Sequence, residues 1–128
     1  MLAQQHRMRT SQQFSATTRS GVRSGRRNLV LYARLLPEET TPTVCGFVVS
    51  KAVGNAVTRN LVKRRLRELV AVTIKGLPSG LSIVVRALPP AAEASWEELS
   101  KDYDAAWSSV SRKIDVDVSS GPTLEKAQ

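Results

Sequence analysis

Five basic side chains fall within nine residues: Arg59, Lys63, Arg64, Arg65 and Arg67, in the run SKAVGNAVTRNLVKRRLREL from Ser50 to Leu69. Guanidinium groups pair bidentately with phosphate, so this density points to polyanion binding. Helical spacing decides which of them act together. At 100° per residue from Arg59, Lys63 falls at about 40°, Arg67 at about 80°, Asn60 at about 100° and Arg64 at about 140°. Leu61, Val62, Leu66 and Leu69 fall between about 200° and 340°, which makes them the inward face. Four cations and one amide therefore share the outer face, while Arg65, near 240°, snorkels beside the apolar side. Arg59–Lys63 and Lys63–Arg67 are like-charge i,i+4 pairs, each costing a few tenths of a kcal/mol, and only Glu68 interrupts the row. Stability alone would avoid that pattern; phosphates supplied by a partner would offset it.

Other chemistries lack their residues. His6 and Cys45 are the only histidine and the only cysteine. One is read as solvated in a loose lead-in and the other as a buried small hydrophobe, so neither a zinc site nor a Cys–His dyad is expected. Glu93, Glu97, Glu98, Asp102 and Asp104 cluster at the start of the last helix. Carboxylates there favour the helix dipole by about 0.3–1 kcal/mol each and are read as structural, not as the ligands of a two-metal nuclease. No glycine-rich phosphate loop is present.

Charge over the whole chain agrees with a polyanionic partner. The 128 residues carry a net charge of +8, and the imbalance is local: residues 1–75 hold a net +11 and residues 76–128 a net −3. One charged surface is the reading. A single cysteine, no apolar h-region near the start and no apolar run of about 20 residues point to a cytoplasmic protein without a membrane partner.

The elements that position these residues follow from periodicity and capping. Residues 1–9 are expected as a flexible basic N-terminus. Thr10 and Gln13 form a capping box for a short helix ending near Ser20-Gly21. Residues 21–27 read as a basic turn, 28–36 and 43–50 as two strands pairing in an antiparallel hairpin. A helix over 55–75, a strand over 81–87 and a helix opened by Ser95 and Glu98 and running to about Lys113 complete a single domain, 10–113, which the resemblance given below makes an RNA-binding one. Residues 114–128 are expected as a disordered tail. The order α-β-β-α-β-α gives an α+β fold. Trp96, Tyr103 and Trp107 are spaced as a core stripe on the last helix. In the first strand Val30, Tyr32 and Arg34 share one face; Tyr32 fits either base stacking beside an arginine or a half-buried ring.

Gly54-Asn55-Ala56-Val57, then Arg59-Asn60, Lys63-Arg64 and Arg67-Glu68, resemble the signature helix of the bacterial ribonuclease P protein subunit. "GFVVSKAVGNAV" looks like the strand and turn before that helix, "RMRTSQQF" is similar to the family's opening helix, "RNLVLYARL" to its first strand and "LSIVVRALP" to the strand after the helix. The resemblance spans Arg7 to Trp107. It implies an α/β sandwich with a small mixed sheet and a left-handed βαβ crossover, a fold shared with some ribosomal proteins. It also implies an accessory subunit of the ribonucleoprotein that removes the 5′ leader of precursor tRNA. The RNA subunit with Mg²⁺ then performs the hydrolysis, and the protein carries no catalytic residue, binds no cofactor alone and needs no protein partner. Residue by residue, Arg59, Asn60, Lys63, Arg64 and Arg67 match the family's contacts to the catalytic RNA. Phe14, Tyr32, Val48, Ser50 and Lys51 match positions in or beside the leader cleft. Leu61 stands where the family has a further cation, and Thr18 where a second aromatic is frequent. Arg86 lies near, but not at, a position where many members are basic on the strand after the helix. A small ribosomal or other structural RNA-binding protein is the alternative reading; a self-sufficient metal-dependent nuclease is the third, and the carboxylate inventory speaks against it.

Overall fold

Both capping boxes close where the residue types put them. In the computed structural model, which describes residues 2–118, Thr10 Oγ1 accepts from Gln13 N at 3.2 Å while Gln13 Oε1 accepts from Thr10 N at 3.1 Å. Helix α1, Ser11–Ser20, follows. Ser95 and Glu98 exchange the same two bonds at 2.8 and 3.1 Å and open α3, Trp96–Val118. Between them α2, Ala56–Gly76, starts from Asn55, whose Oδ1 accepts from Thr58 N at 2.9 Å. Each such cap satisfies backbone donors that the first helical turn leaves free.

Four strands form one mixed sheet: β1 Val22–Gly25, β2 Leu29–Leu35, β3 Val44–Val48 and β4 Leu81–Ala87, in the order β1-β2-β4-β3. The pairs β1–β2 and β2–β4 are antiparallel and β3–β4 is parallel. Two expectations are corrected here. The basic segment 21–27 contains β1, a strand made by pairing with β2 and by cover from α3, not by any hydrophobic alternation of its own. The expected hairpin of β2 with β3 does not form, because β4 lies between them. β4 is buried at six of its seven positions, and a strand that apolar gains most from neighbours on both sides. Helix α2 then serves as the long crossover that a parallel pair requires.

Residues 2–9 are not a loose lead-in. Leu2 is buried, Arg7 bridges to Cys45, Met8 N donates to the Cys45 carbonyl at 2.9 Å and His6 Nδ1 donates to the Thr43 carbonyl at 2.6 Å. This segment covers the outer edge of β3, whose backbone groups would otherwise lack partners. His6 is accordingly half-buried and engaged, not simply solvated. At the other end α3 runs past Lys113 to Val118, because Ile114 continues the buried stripe of Tyr103, Ala106 and Val110. The rest of the expected tail, 119–128, lies outside the described residues.

One face of the sheet carries Leu29, Leu31, Ala33, Cys45, Ile83 and Val85 against Val62, Leu66, Val70 and Ile74 of α2 and Leu99, Tyr103, Ala106 and Val110 of α3. Burying each such Leu, Ile or Val stabilises by about 1.5–3 kcal/mol. Of the expected aromatic stripe, Tyr103 is buried and Trp107 half-buried, whereas Trp96, the first residue of α3, is exposed. On the opposite face α1 lies across β2 and β4. A buried hydroxyl pair, Thr17 Oγ1 to Ser82 Oγ at 2.5 Å, fixes it there.

Candidate nucleic-acid interface

The inward face of α2 anchors the outward one. Val62, Leu66, Leu69 and Val70 are buried, so the rotation of the helix is set, and Asn60 and Arg64 stand exposed. Arg59, Lys63 and Arg67 are half-buried, and Lys63 and Arg67 border the β3 edge of the sheet at Cys45, Gly46 and Phe47. Arg59 Nε donates to the Gly54 carbonyl at 3.1 Å, which steadies the guanidinium over the first turn. Arg65 behaves as its angle requires: its Nη1 donates to the Ala94 carbonyl at 3.1 Å and ties α2 to the approach of α3. Among the described residues the one ion pair is Arg26 with Asp102 at 3.9 Å. No carboxylate of the described chain therefore neutralises Arg59, Lys63, Arg64 or Arg67.

The α1 side of the sheet forms a second surface. Phe14 packs directly on Gly46: a Cβ at that glycine would collide with Cζ and Cε1 of the Phe14 ring and with Met8 Sδ. Gly46 is partnered with Val84, and Val84 with Tyr32, so these residues share that face. Tyr32 is only 9% exposed, which favours the half-buried reading and leaves little of its ring for stacking. Two residues further along each strand, and so on the same face, Val48, Arg86, Val30 and Gly25 form a row across all four strands. Arg86 is the single exposed residue of β4 and stands in the middle of that row. Ser50 and Lys51 are exposed at its β3 end, where the chain turns toward α2.

The sequence reading noted Arg86 but left it out of the site, because it lies near, and not at, the position where many family members are basic. Its signal was parity: Ser82, Val84 and Arg86 share a face, but that face gains meaning only once β4 is known to sit between β2 and β3. Arg7 was passed over, since it was assigned to a loose segment. It lines a cleft with Phe14, Gly46, Lys63 and Arg67, the place where the cationic row of α2 meets the α1 side of the sheet. Cys45 lies beneath this cleft. Burial pushes its thiol up to about 12, against the opposing pull of the Arg67 and Arg7 cations, so it is a neutral, inert packing residue.

Two of the acids at the head of α3 do structural work. Asp102 Oδ2 accepts from both Asn28 N and Asn28 Nδ2 at 2.9 Å, and Glu98 closes the cap on Ser95. Among the described residues no three His, Cys, Asp or Glu side chains are grouped to hold a metal ion, and no described helix is long and apolar enough to cross a membrane.

Residues 2–111 match the family model described as Ribonuclease P. The chain is similar to the Ribonuclease P protein component of Kocuria rhizophila, 63% identical over 100 residues that cover 78% of this chain and 87% of that protein. It is also similar to the component of the same name in Arthrobacter sp. (strain FB24), 59% identical over 99 residues, covering 77% and 72%. Among solved structures the RNase P protein of Staphylococcus aureus superposes with a TM-score of 0.71 at 26% identity, over 80% of this chain and 93% of that one. The RNase P protein of Thermotoga maritima, at 22% identity and a TM-score of 0.65 over 77% and 92%, shares the fold.

Proposed function

The chain belongs to the ribonuclease P protein family and is a component of that tRNA-processing ribonuclease, a partner of its RNA; on that premise we propose that α2 docks the catalytic RNA while the α1 side of the sheet receives the 5′ leader of precursor tRNA. Arg59, Asn60, Lys63, Arg64 and Arg67 pair with phosphates of the catalytic RNA. Phe14, Tyr32, Val48, Ser50 and Lys51, joined by Arg86, line the leader's path. The hydrolysis belongs to the RNA and its Mg²⁺; the protein binds no cofactor alone and contributes by holding leader and catalytic RNA in one geometry, which removes entropy from the reacting complex. Its place of work is the cytoplasm, where precursor tRNA is transcribed.

The observation that carries this reading is the row of α2 cations that no carboxylate of the described chain pairs with. Like charges at i,i+4 spacing are tolerated when a polyanion completes them. Mixing the protein with a bacterial ribonuclease P RNA at low Mg²⁺ tests it directly. Cleavage of a precursor tRNA runs faster than with RNA alone. Equal rates with and without protein would overturn the reading and favour a structural RNA-binding role.

A further inference from the structure

Three observations converge on β1. Arg23 is the Cα partner of Tyr32, so its side chain rises on the α1 side of the sheet, and it is exposed. Its carbonyl is held from the other side, where Lys113 Nζ donates to it at 2.7 Å, so the strand is fixed while the guanidinium is left to the surface. Beside Arg23, at the β1 end of the row that holds Arg86, the floor is low: Gly25 has no side chain, and a Cβ built there meets only Val30 Cγ2 at 3.9 Å. No carboxylate of the described residues pairs with Arg23 or Arg86.

We propose that Arg23 is a leader-binding residue, contacting phosphates of the nucleotides farthest from the cleavage point; this rests on the leader path proposed above. The row from Val48 through Arg86 and Val30 to Gly25 crosses three strand spacings, about 14 Å. Arg23 stands two spacings and two residues from Arg86, about 12 Å away. The direction follows from the fold. The β3 end of the row runs through Ser50 and Lys51 into the head of α2, where the catalytic RNA docks, so the scissile phosphate lies at that end. A single strand leaving it crosses Arg86 first and reaches β1 last. Arg86 therefore serves every leader, and Arg23 only those long enough to cross the sheet.

The test is a ladder of precursor tRNAs whose leaders lengthen from a single nucleotide, bound to the reconstituted holoenzyme carrying Arg23→Glu, Arg23→Gln or Arg86→Ala. With either Arg23 variant the shortest leaders bind as to the parent. Above a threshold length binding weakens roughly tenfold, the loss of one charge-assisted contact. The slope of log affinity against log salt falls by about 0.7 on the same long leaders, as expected for one phosphate of a single strand. Arg86→Ala weakens binding at lengths below that threshold as well. If Arg86→Ala weakens binding and the Arg23 variants change no leader, or change all lengths equally, the assignment of Arg23 is overturned and the leader path stands. If Arg86→Ala is also without effect at every length, the leader path falls and Arg23 with it.

Discussion

Helices α2 and α3 have 21 and 23 residues and pack apolar stripes on the same face of the sheet, yet they treat charge in opposite ways. Along α3, three charged groups of both signs find partners inside the molecule. Glu98 closes the cap on Ser95, Asp102 accepts two bonds from Asn28 and lies 3.9 Å from Arg26, and Lys113 reaches the Arg23 carbonyl. Along α2 only Arg59 and Arg65 reach backbone carbonyls, and no acid of the described chain answers any of its cations. A charge whose partner lies in the same chain holds the fold. One without such a partner contributes little to folding and remains available to an outside polyanion.

The sharpest way to break that contrast is to remove the outward charges. Replacing Arg59, Arg64 and Arg67 together by Ala weakens binding of ribonuclease P RNA by on the order of 100-fold at physiological salt. The slope of log affinity against log salt falls by about 0.7–0.9 for each side chain removed. Arg64 is exposed and Arg59 and Arg67 are half-buried with no carboxylate paired to them, so relief of like-charge repulsion offsets the lost Arg59 bond to the Gly54 carbonyl and the melting temperature moves little. Filter binding across a salt series, with a melting curve beside it, checks both halves. An unchanged salt slope would mean that these cations meet water only.

The complementary variant removes an inward charge. Asp102→Ala leaves the backbone N–H and the side-chain amide of the buried Asn28 without their acceptor, at the turn that joins β1 to β2. Bonds to a charged acceptor are worth about 1.5–3 kcal/mol each, and a buried donor left unmade adds its desolvation. Urea unfolding shows a loss of about 2–4 kcal/mol. Binding of the catalytic RNA by the still-folded fraction stays at the parent value. A stable Asp102→Ala protein with impaired RNA binding would reverse the roles assigned to the two helices.

How much of this was legible in the sequence follows the same division. Local signals were: both capping boxes, the bounds of α2 to within a residue or so, the span of β4 and the angular split of the basic row all follow from residue type and spacing. Non-local pairing was not. Nothing within Gly21–Arg27 announces a strand, because β1 exists through β2 and α3. Two adjacent strand-forming runs suggested a hairpin, whereas β4, distant in sequence and apolar at nearly every position, takes the central place. That error also kept Arg86, named but set aside, from being placed in the site, because its neighbours are residues of β2 and β3. The segment before α1 looked loose because its partner, the free edge of β3, is itself a product of the sheet order.

A smaller effect tests whether the field of the α2 row acts outward or inward. Cys45 lies below Arg67 and Arg7, and both cations draw its pKa down, but burial outweighs them and lifts it from 9.0 to about 12. In the unfolded chain the thiol ionises near 9 and in the folded protein only near 12. Between those values the unfolded state binds fewer protons than the native one, so stability falls as pH rises; below pH 9 the contribution is fully present. The slope is on the order of 1 kcal/mol per pH unit. Tyr103, also raised mainly by burial, adds to the loss only above its ordinary value of 10.0. Urea titrations between about pH 9 and about pH 10 therefore isolate the thiol, and Cys45→Ala, less stable throughout for the volume removed, flattens that part of the curve. An equal slope in the variant, or alkylation of the native thiol as fast as that of the unfolded chain, would show that the pull of the cations on Cys45 cancels the effect of burial. They would then be stabilising a group of their own chain, and the claim that their charge is directed only at a partner would not hold.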